Sequence, residues 1–368
     1  MSARPASRRS SGKPSVSPAA GERGGRRAAR RAVLLATAVL AAACAATSVN
    51  APRPTVTQPT STRAGSTGTT PTTRAASRPP RRHAPQPVLL PPRAALRPFS
   101  SAGGTGQGRW HPAGRLVGGQ AAVYETTLVA PGSTSASGIA WMDPRLLRAQ
   151  LYSGSLSPGH GPWSLTAPIS PSRARTVVAA FNGGFKFPAA GGGYYAEGRM
   201  VYPLRKGGAS LVIYRNGDVT VGSWGRDVRM TSQVVAVRQN LTLLVDGGKP
   251  VPGLNAYDTG VWGATLGGVP AVWRSGVGVT ASGALVYVTG PSLEITQLAA
   301  LLVRAGCVRA MTLDMNPDWT VFVTYGPASP RGAAAPGNGS DLLPGTVQGP
   351  YTFFESWWAR DFITMSAR

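Results

Sequence analysis

The sequence contains few cysteines, histidines and acidic residues, and each shortage excludes a class of site. Its 368 residues include two cysteines, three histidines and 14 Asp and Glu residues. Cys44 lies in an apolar N-terminal run, so Cys307 lacks a dependable partner, and we predict a buried free thiol rather than a disulfide or a nucleophile. His83, His111 and His160 show neither zinc-ligand spacing nor a serine-triad arrangement. We therefore predict no metal centre built from histidine and cysteine.

Positive charge is concentrated near the N-terminus. Up to Pro98, 17 Lys and Arg residues accompany one acidic residue, Glu22, whereas the rest of the chain has 21 basic and 13 acidic residues. The formal net charge of +24 thus divides into +16 and +8. A strongly basic chain can indicate nucleic-acid binding. No zinc finger or RNA-recognition motif is present, so we predict no nucleic-acid partner.

The N-terminal residues have the pattern of an export segment and a linker. A basic region, 1–31, precedes an uncharged run at 32–46, as in a signal peptide. This run is shorter than the roughly 20 apolar residues of a spanning helix. A cleaved signal is therefore our leading interpretation, with a retained membrane anchor or lipidation of Cys44 as alternatives. Residues 47–98, rich in Pro, Thr and Arg, predict a disordered linker. We expect an extracytoplasmic protein of a bacterial envelope, secreted or anchored, whose only membrane contact is 32–46.

Residues 99–368 show many short strand patterns and few helical ones, which predicts a single α+β domain with mixed sheets. Asn216-Gly217 between two apolar runs predicts a hairpin with a primed turn. Tyr351 to Phe354, with Trp357-Trp358, is expected to close the sheet. Other strands are predicted at 123–129, 138–143, 176–181, 234–237, 241–245, 271–274 and 285–288.

Asp314 lies at the end of a strand pattern. A helix is predicted upstream, with Ser292 as its N-cap and Gly306 as its stop. A strand follows at 308–313. Another strand pattern covers 319–325, so we interpret Asn316-Pro317 as the turn between two neighbouring strands. Polar residues at a strand end can gather catalytic groups.

A second candidate site follows the strand at 176–181. Gly183 and Gly184 permit positive φ and allow backbone amides to approach a ligand, while Asn182 adds a side-chain amide. A tight turn without a ligand is the alternative interpretation.

A calcium site is a further alternative. Asp314, Asn316 and Asp318 match the opening of a calcium loop, but Trp319 and Tyr325 occupy the positions that require Gly and Glu in an EF-hand. The EF-hand is excluded. A looser Ca²⁺ site completed by distant carboxylates stays open, and our leading expectation is no cofactor.

Four short motifs, taken in chain order, resemble the phosphodiester glycosidase family over about residues 122–365. They are Phe181-Asn182-Gly183-Gly184-Phe185, Trp273-Arg274-Ser275-Gly276-Val277-Gly278, Ser292-Leu293-Glu294-Ile295 and Leu313-Asp314. The resemblance implies hydrolysis of the bond between a sugar's anomeric carbon and a phosphodiester oxygen. Family members usually carry a glycine run after the aspartate, where this chain has Met315-Asn316-Pro317, so no phosphate-binding backbone is implied there.

The resemblance implies roles for individual residues. Arg274 suits the phosphate, and Asp314 suits a stabilising carboxylate, nucleophile or water base. Glu197 is the candidate acid. The remaining candidates for substrate binding are Asn182, Gly183, Gly184, Gly276, Asn316 and Asp318. Each has a structural alternative, such as Arg274 stacking on Trp273, or Asp318 bonding its own turn.

These observations predict an exported hydrolase that cleaves a sugar-1-phosphodiester in an envelope polymer or glycoconjugate. The expected partner is thus a sugar-phosphate glycoconjugate or a cell-wall polymer. The alternative is a non-catalytic envelope module of the same fold that binds an anionic cell-surface polymer.

Overall fold

The computed structural model describes residues 94–100, 104–327 and 332–368, except the side chain of Leu266. The predicted regions 1–31 and 32–46, and most of the predicted linker, lie outside the described residues. Leu96 is buried, and its N–H donates to Gly108 O at 2.8 Å, so the packed domain begins before residue 99. No helix in the described ranges is long and apolar enough to cross a membrane.

The described part of the chain is rich in strands. In chain order these are β1 (His111–Val117), β2 (Gln120–Val129), β3 (Ala136–Met142), β4 (Leu147–Tyr152), β5 (Val177–Asn182), β6 (Tyr194–Ala196), β7 (Arg199–Tyr202), β8 (Ala209–Tyr214), β9 (Val219–Ser223), β10 (Val234–Gln239), β11 (Leu243–Asp246), β12 (Lys249–Pro250), β13 (Val272–Thr280), β14 (Leu285–Leu293), β15 (Cys307–Met315), β16 (Phe322–Tyr325), β17 (Gly339–Asp341) and β18 (Phe362–Ala367). The α-helices are α1 (Pro171–Ala174), α2 (Thr259–Trp262) and α3 (Ile295–Arg304).

These strands form three sheets. The first has the order β1-β2-β3-β14-β13-β15-β11-β12, the second β7-β6-β10-β8-β9 and the third β17-β16-β5-β18-β4. Every pairing between these strands is antiparallel, for example β13 with β15 and β5 with β18, so the predicted mixed sheets are wrong. Antiparallel pairing needs no crossover helix between strands, which explains the low helix content. The strand-rich domain with few helices is confirmed.

Helix α3 covers one face of the first sheet. Leu298, Leu301 and Leu302 are fully buried in a core cluster that also contains Cys307. The prediction of a buried free thiol at Cys307 is confirmed, and burial raises its pKa. The N-cap is Glu294, which forms a capping box with the residue at the third helical position. The prediction that Ser292 is the N-cap is wrong.

Two predicted connections also differ from the structure. β15 lies in the first sheet and β16 in the third, so Asn316-Pro317 carries the chain between sheets rather than between neighbouring strands. Residues 352–354 form a 3-10 helix, and β18 pairs with β4 and β5 in place of the predicted aromatic segment. Periodicity reports which side of a strand is buried, but not which strand it pairs with.

The predicted hairpin around Gly217 is confirmed as β8 and β9. Its turn differs from the prediction, because Gly217 has a φ of 85° whereas Asn216 is not among the residues with positive φ. A primed two-residue turn requires positive φ at its first position. The connection spans residues 215–218 instead, and Asn216 Oδ1 accepts the Asp218 N–H at 3.0 Å.

Candidate functional site

Three strand termini bring Asn182, Arg274 and Asp314 together. β5 ends at Asn182, Asp314 is the penultimate residue of β15, and Arg274 lies near the start of β13, opposite Met315. The Ser275 hydroxyl joins them: it donates to Asp314 O at 2.6 Å and accepts from Asn182 Nδ2 at 3.0 Å. The first and third sheets therefore meet at these residues.

The Asp314 carboxylate is almost buried, with 10% of its side chain exposed. Oδ1 accepts the Met315 N–H at 2.9 Å, and Oδ2 forms an ion pair with Arg360. Burial raises the pKa of Asp314 to about 6, and the positive charge of Arg360 opposes that shift. A carboxylate with this pKa is mostly ionised at neutral pH and still able to accept a proton.

Arg360 approaches Asp314 from the segment that precedes β18. Its Nη2 also donates to Gly184 O at 3.2 Å, and its guanidinium carbon lies 4.5 Å from the centroid of the Trp319 ring. Its Nε has no hydrogen-bond partner among the described residues. The pair is thus held by a backbone carbonyl and by an aromatic face.

A second ion pair, Arg238 with Asp361, lies beside the first. It is fully buried, with Arg238 Nε 2.8 Å from Asp361 Oδ2. The guanidinium carbon of Arg238 lies 4.4 Å from the centroid of the Phe187 ring. Asp361 O accepts the Gly183 N–H at 3.0 Å, so the pair contacts the strand end that carries Asn182.

Glycine is required at positions 183 and 184 because neighbouring side chains leave no room for a Cβ, and not because of the backbone conformation there. Neither residue is among those with positive φ. A Cβ on Gly183 would lie 2.0 Å from Asp361 Oδ2, and one on Gly184 would lie 2.9 Å from Arg238 Cζ. The pair therefore allows both ion pairs to approach the backbone.

Arg274 is 1% exposed and belongs to none of the five ion pairs among the described residues, although the negative charge of Glu294 acts on it and favours its charged form. Its Nε donates to Leu293 O at 2.8 Å and its Nη2 to Pro270 O at 3.0 Å. Nη1 has only a long contact, 4.0 Å, with Met315 Sδ. Burial lowers the pKa of Arg274 to about 10.

The Asn182 side chain is already hydrogen-bonded within the protein. Besides its bond to Ser275, Nδ2 donates to Gly183 O at 2.9 Å, while Oδ1 accepts from Tyr287 Oη at 2.7 Å and from Val321 N at 3.1 Å. Asn182 therefore connects β5 to the first sheet and to the chain before β16. Its amide positions the cluster without offering a free group.

The other sequence-predicted residues lie around or away from this cluster. Glu197 is exposed in the β6–β7 turn, where it accepts the N–H groups of Ser164 and Leu165 at 3.0 and 2.8 Å. Gly276 lies beneath α3, where a Cβ would meet Leu302 Cδ1 at 3.2 Å. Asn316 has a φ of 75° and donates its N–H to Trp273 O, and Asp318 is exposed.

The calcium alternative gains no support from the residues that the structure covers. They contain no group of three or more His, Cys, Asp or Glu residues arranged to hold a metal ion. Asp314 already pairs with the Arg360 cation, which would compete with a metal for the same oxygen.

Sequence reasoning missed Arg360, Asp361, Arg238 and Asn240. Asn240 accepts the Phe185 N–H at 3.1 Å and donates to Thr312 O at 3.0 Å, so it also supports the cluster. The sequence does contain a signal for these residues. Arg360-Asp361 directly precede the apolar strand β18, and Arg238-Gln239-Asn240 stand at the end of the apolar strand β10. Charged residues are rarely buried without a partner.

Comparisons with known proteins show a resemblance to one family over part of the chain. Residues 175–323 match the family model of the phosphodiester glycosidases. The comparison with curated proteins finds no match. Among solved structures, the zebrafish N-acetylglucosamine-1-phosphodiester alpha-N-acetylglucosaminidase catalytic domain, auto-inhibited by pro-peptide, is 16% identical over 71% of this chain and 88% of that chain, with a TM-score of 0.42. A hypothetical protein from Synechocystis is 13% identical over 70% of this chain and 64% of that chain, with a TM-score of 0.39.

The family match covers all four sequence motifs, from Phe181 to Asp314. The match is shorter than the predicted resemblance over about residues 122–365. Arg360 and Asp361 lie beyond its end. The two structural similarities are distant, so the family match alone supports the resemblance. Residues 175–323 of this chain resemble the phosphodiester glycosidase family, and the resemblance predicted from the motif order is confirmed.

Proposed function

We propose that this protein is a hydrolase of the phosphodiester glycosidase type, which cleaves the bond between a sugar's anomeric carbon and a phosphodiester oxygen. One observation carries the proposal. The buried carboxylate of Asp314 and the buried guanidinium of Arg274 lie on adjacent strands, where Arg274 pairs in register with Met315, the residue after Asp314, and Arg274 belongs to none of the ion pairs among the described residues.

Arg274 is proposed to bind the phosphate. A buried cation pays a desolvation penalty that an anion can offset, and a guanidinium matches phosphate oxygens in a bidentate geometry. Nη1 is the free end of this guanidinium, because its contact with Met315 Sδ at 4.0 Å is weak. Substrate binding would therefore supply a close ion pair in addition to the more distant charge of Glu294.

Asp314 is proposed to act at the sugar. As the bond between the anomeric carbon and the phosphate oxygen breaks, the phosphate leaves with the bonding electron pair. A water oxygen bonds to the anomeric carbon, and Asp314 accepts the proton that this water loses. Arg360 favours the ionised carboxylate that the step requires. A phosphate diester is a good leaving group, so this scheme does not depend on Glu197 as an acid.

The substrate is proposed to be an envelope polymer or glycoconjugate that contains a sugar-1-phosphodiester. The N-terminal sequence supports an extracytoplasmic location, since a basic region precedes the uncharged run at 32–46. The resemblance to the family supports the phosphodiester linkage. N-acetylglucosamine-1-phosphodiesters are the first candidates, because the zebrafish protein is named for that substrate.

Asp314→Asn tests the proposal. The full chain is incubated with a panel of sugar-1-phosphodiesters, including N-acetylglucosamine and hexose forms, and release of free sugar is measured. We expect turnover by the parent and a loss of about a thousandfold in the variant. Asp218→Asn, which removes an exposed carboxylate elsewhere, should retain full activity. Equal turnover by the parent and Asp314→Asn would remove Asp314 from the mechanism.

The second candidate function is a non-catalytic module that binds an anionic polymer. It is favoured by the ion pair of Asp314, which already engages the carboxylate, and by the net charge of +8 after Pro98. A pull-down with cell-wall polymers at several salt concentrations distinguishes the two, because charge-led binding weakens as salt rises. Binding without release of sugar would support the module. Absence of affinity for every polymer would exclude it.

A further inference from the structure

A cavity of about 380 Å³ lies behind the loop that follows the glycine pair, and its lining is cationic. Arg205, Lys206, Leu241 and Thr242 are among its lining residues. Four glycines complete most of the wall, and none of its lining residues is Asp or Glu. Such a lining has positive charge, little side-chain bulk and no acidic group to repel an anion.

We propose that this cavity binds a second phosphate group of the substrate, beyond the one whose bond is cleaved. The inference rests on the proposed function and narrows it. The preferred substrate then carries at least two phosphates, as in a polymer whose repeating units are joined by phosphodiesters. Lys206 would act as a point charge and Arg205 as a planar donor to phosphate oxygens.

The loop that carries Arg205 is fixed by a buried glutamine. Gln239 Oε1 accepts the Arg205 N–H at 2.8 Å, and Gln239 Nε2 donates to Arg205 O at 3.0 Å. Gln239 is fully buried, and both bonds are part-buried because Arg205 lies at the surface. The Arg205 side chain is held as well, since Nη1 donates to Gly191 O on the facing wall. A cation fixed in advance loses less entropy when an anion binds.

The lining glycines of the cavity are needed where side chains come close to the backbone and where the backbone is left-handed. A Cβ on Gly208 would lie 2.9 Å from Gln239 Nε2, so a larger residue would disturb the bonds that fix Arg205. Gly191 and Leu241, which face each other, have φ values of 58° and 52°. A left-handed conformation is uncommon for a leucine. The cavity wall is therefore a specific backbone arrangement and not an incidental gap.

The cavity and the Asp314 cluster share one segment of chain, the end of β10 and the residues after it. Arg238 pairs with Asp361 in the cluster, Gln239 fixes Arg205 at the cavity, and Asn240 bonds Phe185 and Thr312. The next residue, Leu241, lines the cavity.

Packing also connects the two places. Leu241 packs against a small apolar cluster formed by Phe185, Ala190 and Met315. Met315 directly follows Asp314 and contacts Arg274. Leu241 thus contacts both the cationic cavity and the apolar cluster that contains Met315, the residue after Asp314. An extended substrate with regularly spaced phosphates could reach both.

Inorganic pyrophosphate tests the cavity without knowledge of the sugar. Calorimetry on the full chain should detect two sites, one that depends on Arg274 and one that depends on Arg205 and Lys206. The double variant Arg205→Gln/Lys206→Gln should lose one site and keep the other, while Arg274→Gln should show the reverse. Lys249→Gln, which removes an exposed cation from β12, should bind like the parent. Unchanged binding by the double variant would overturn the proposal.

A matched pair of substrates tests the function of the cavity. One is a sugar-1-phosphodiester with a neutral aglycone, and the other carries an additional phosphate on that aglycone. The parent should prefer the second by about tenfold in kcat/KM, mainly through KM, since charge-assisted contacts to phosphate are among the stronger hydrogen bonds. The double variant should lose this preference and keep its rate on the neutral substrate. A preserved preference would overturn the subsite.

These outcomes separate the subsite from the proposed function. If the parent hydrolyses neither substrate, the proposed function fails, while pyrophosphate binding still decides whether the cavity takes phosphate. Lys206→Gln serves as the second variant, because it removes a charge without breaking the Arg205 bond to Gly191. A loss of pyrophosphate affinity in this single variant, with an unchanged melting temperature, supports the cavity. An unchanged affinity contradicts it.

Discussion

The guanidinium of Arg360 forms an ion pair with the carboxylate of Asp314, 46 positions earlier in the chain. Both side chains are at most 10% exposed, and the two residues come from different sheets or their flanking segments. A buried carboxylate alone would tend to be protonated, whereas a carboxylate beside a cation tends to be ionised. The pair therefore sets the protonation state of the residue on which the proposed chemistry depends.

The pH dependence of hydrolysis should follow Asp314. Its folded-state pKa is about 6, raised by burial. The base form is present above that pH, so kcat/KM should fall as pH decreases through about 6. Arg360→Met removes the positive charge and should move the fall to higher pH. A full pH profile of both proteins measures this, and an unchanged midpoint in Arg360→Met would contradict the role of the ion pair.

The pair between Arg238 and Asp361 should be important for stability. Arg238→Met leaves the Asp361 carboxylate buried and unpaired, and we expect a loss of about 3–5 kcal/mol in the free energy of unfolding. The double variant Arg238→Met/Asp361→Asn should recover part of it, because no uncompensated charge then stays buried. Urea unfolding measures both. If the single and double variants are equally stable, the loss is one of packing and not of charge.

Gly183 should not tolerate a side chain. A Cβ there would lie 2.0 Å from Asp361 Oδ2, and overpacking of a buried site costs about 1–3 kcal/mol or more. Gly337→Ala is the matched control, because its added Cβ would meet nothing within 4 Å and its φ is not positive. Thermal unfolding should show a clear decrease for Gly183→Ala and almost none for Gly337→Ala. Similar melting temperatures would show that Asp361 moves freely to make room.

Glu125 should give the fold a pH-dependent stability that is independent of catalysis. Burial raises its pKa from 4.5 to about 7, a hydrogen bond with Thr324 partly opposes the shift, and Glu125 Oε1 has no hydrogen-bond partner among the described residues. The folded state binds this proton more tightly than the unfolded state. Its contribution is thus present below pH 4.5 and is lost as pH rises through about 7.

Glu125→Gln tests this contribution. As pH rises from 4.5 to about 7, ionisation of Glu125 should lower the parent's free energy of unfolding by on the order of 3 kcal/mol. The variant should not show this loss. Denaturant unfolding at pH 5 and pH 8 gives the difference for each protein. Asp218→Asn, at an exposed carboxylate, is the control and should follow the parent. A slope that persists in Glu125→Gln would assign the pH dependence to another group.

Much of the local structure could be predicted from the sequence. The β8–β9 hairpin, the strand before Asp314, α3 and the buried Cys307 all follow from short-range patterns. The motif order also predicted the family resemblance. By contrast, the sequence pattern predicts that the glycine pair supplies conformational freedom, whereas the structure requires Gly183 because Asp361 approaches its backbone. That approach joins residues far apart in the chain, so no local pattern reports it.

The sequence by itself determined which segments extend, which faces are apolar, and which residue types are available for chemistry near Asp314. Only the tertiary structure decided that β15 and β16 belong to different sheets, that Arg360 pairs with Asp314, and that Arg205 and Lys206 line one cavity. The physical reason is the distance along the chain over which each interaction acts. Hydrophobic periodicity depends on neighbours within a strand, whereas ion pairs and sheet order depend on contacts such as Arg238 with Asp361, which span 123 positions.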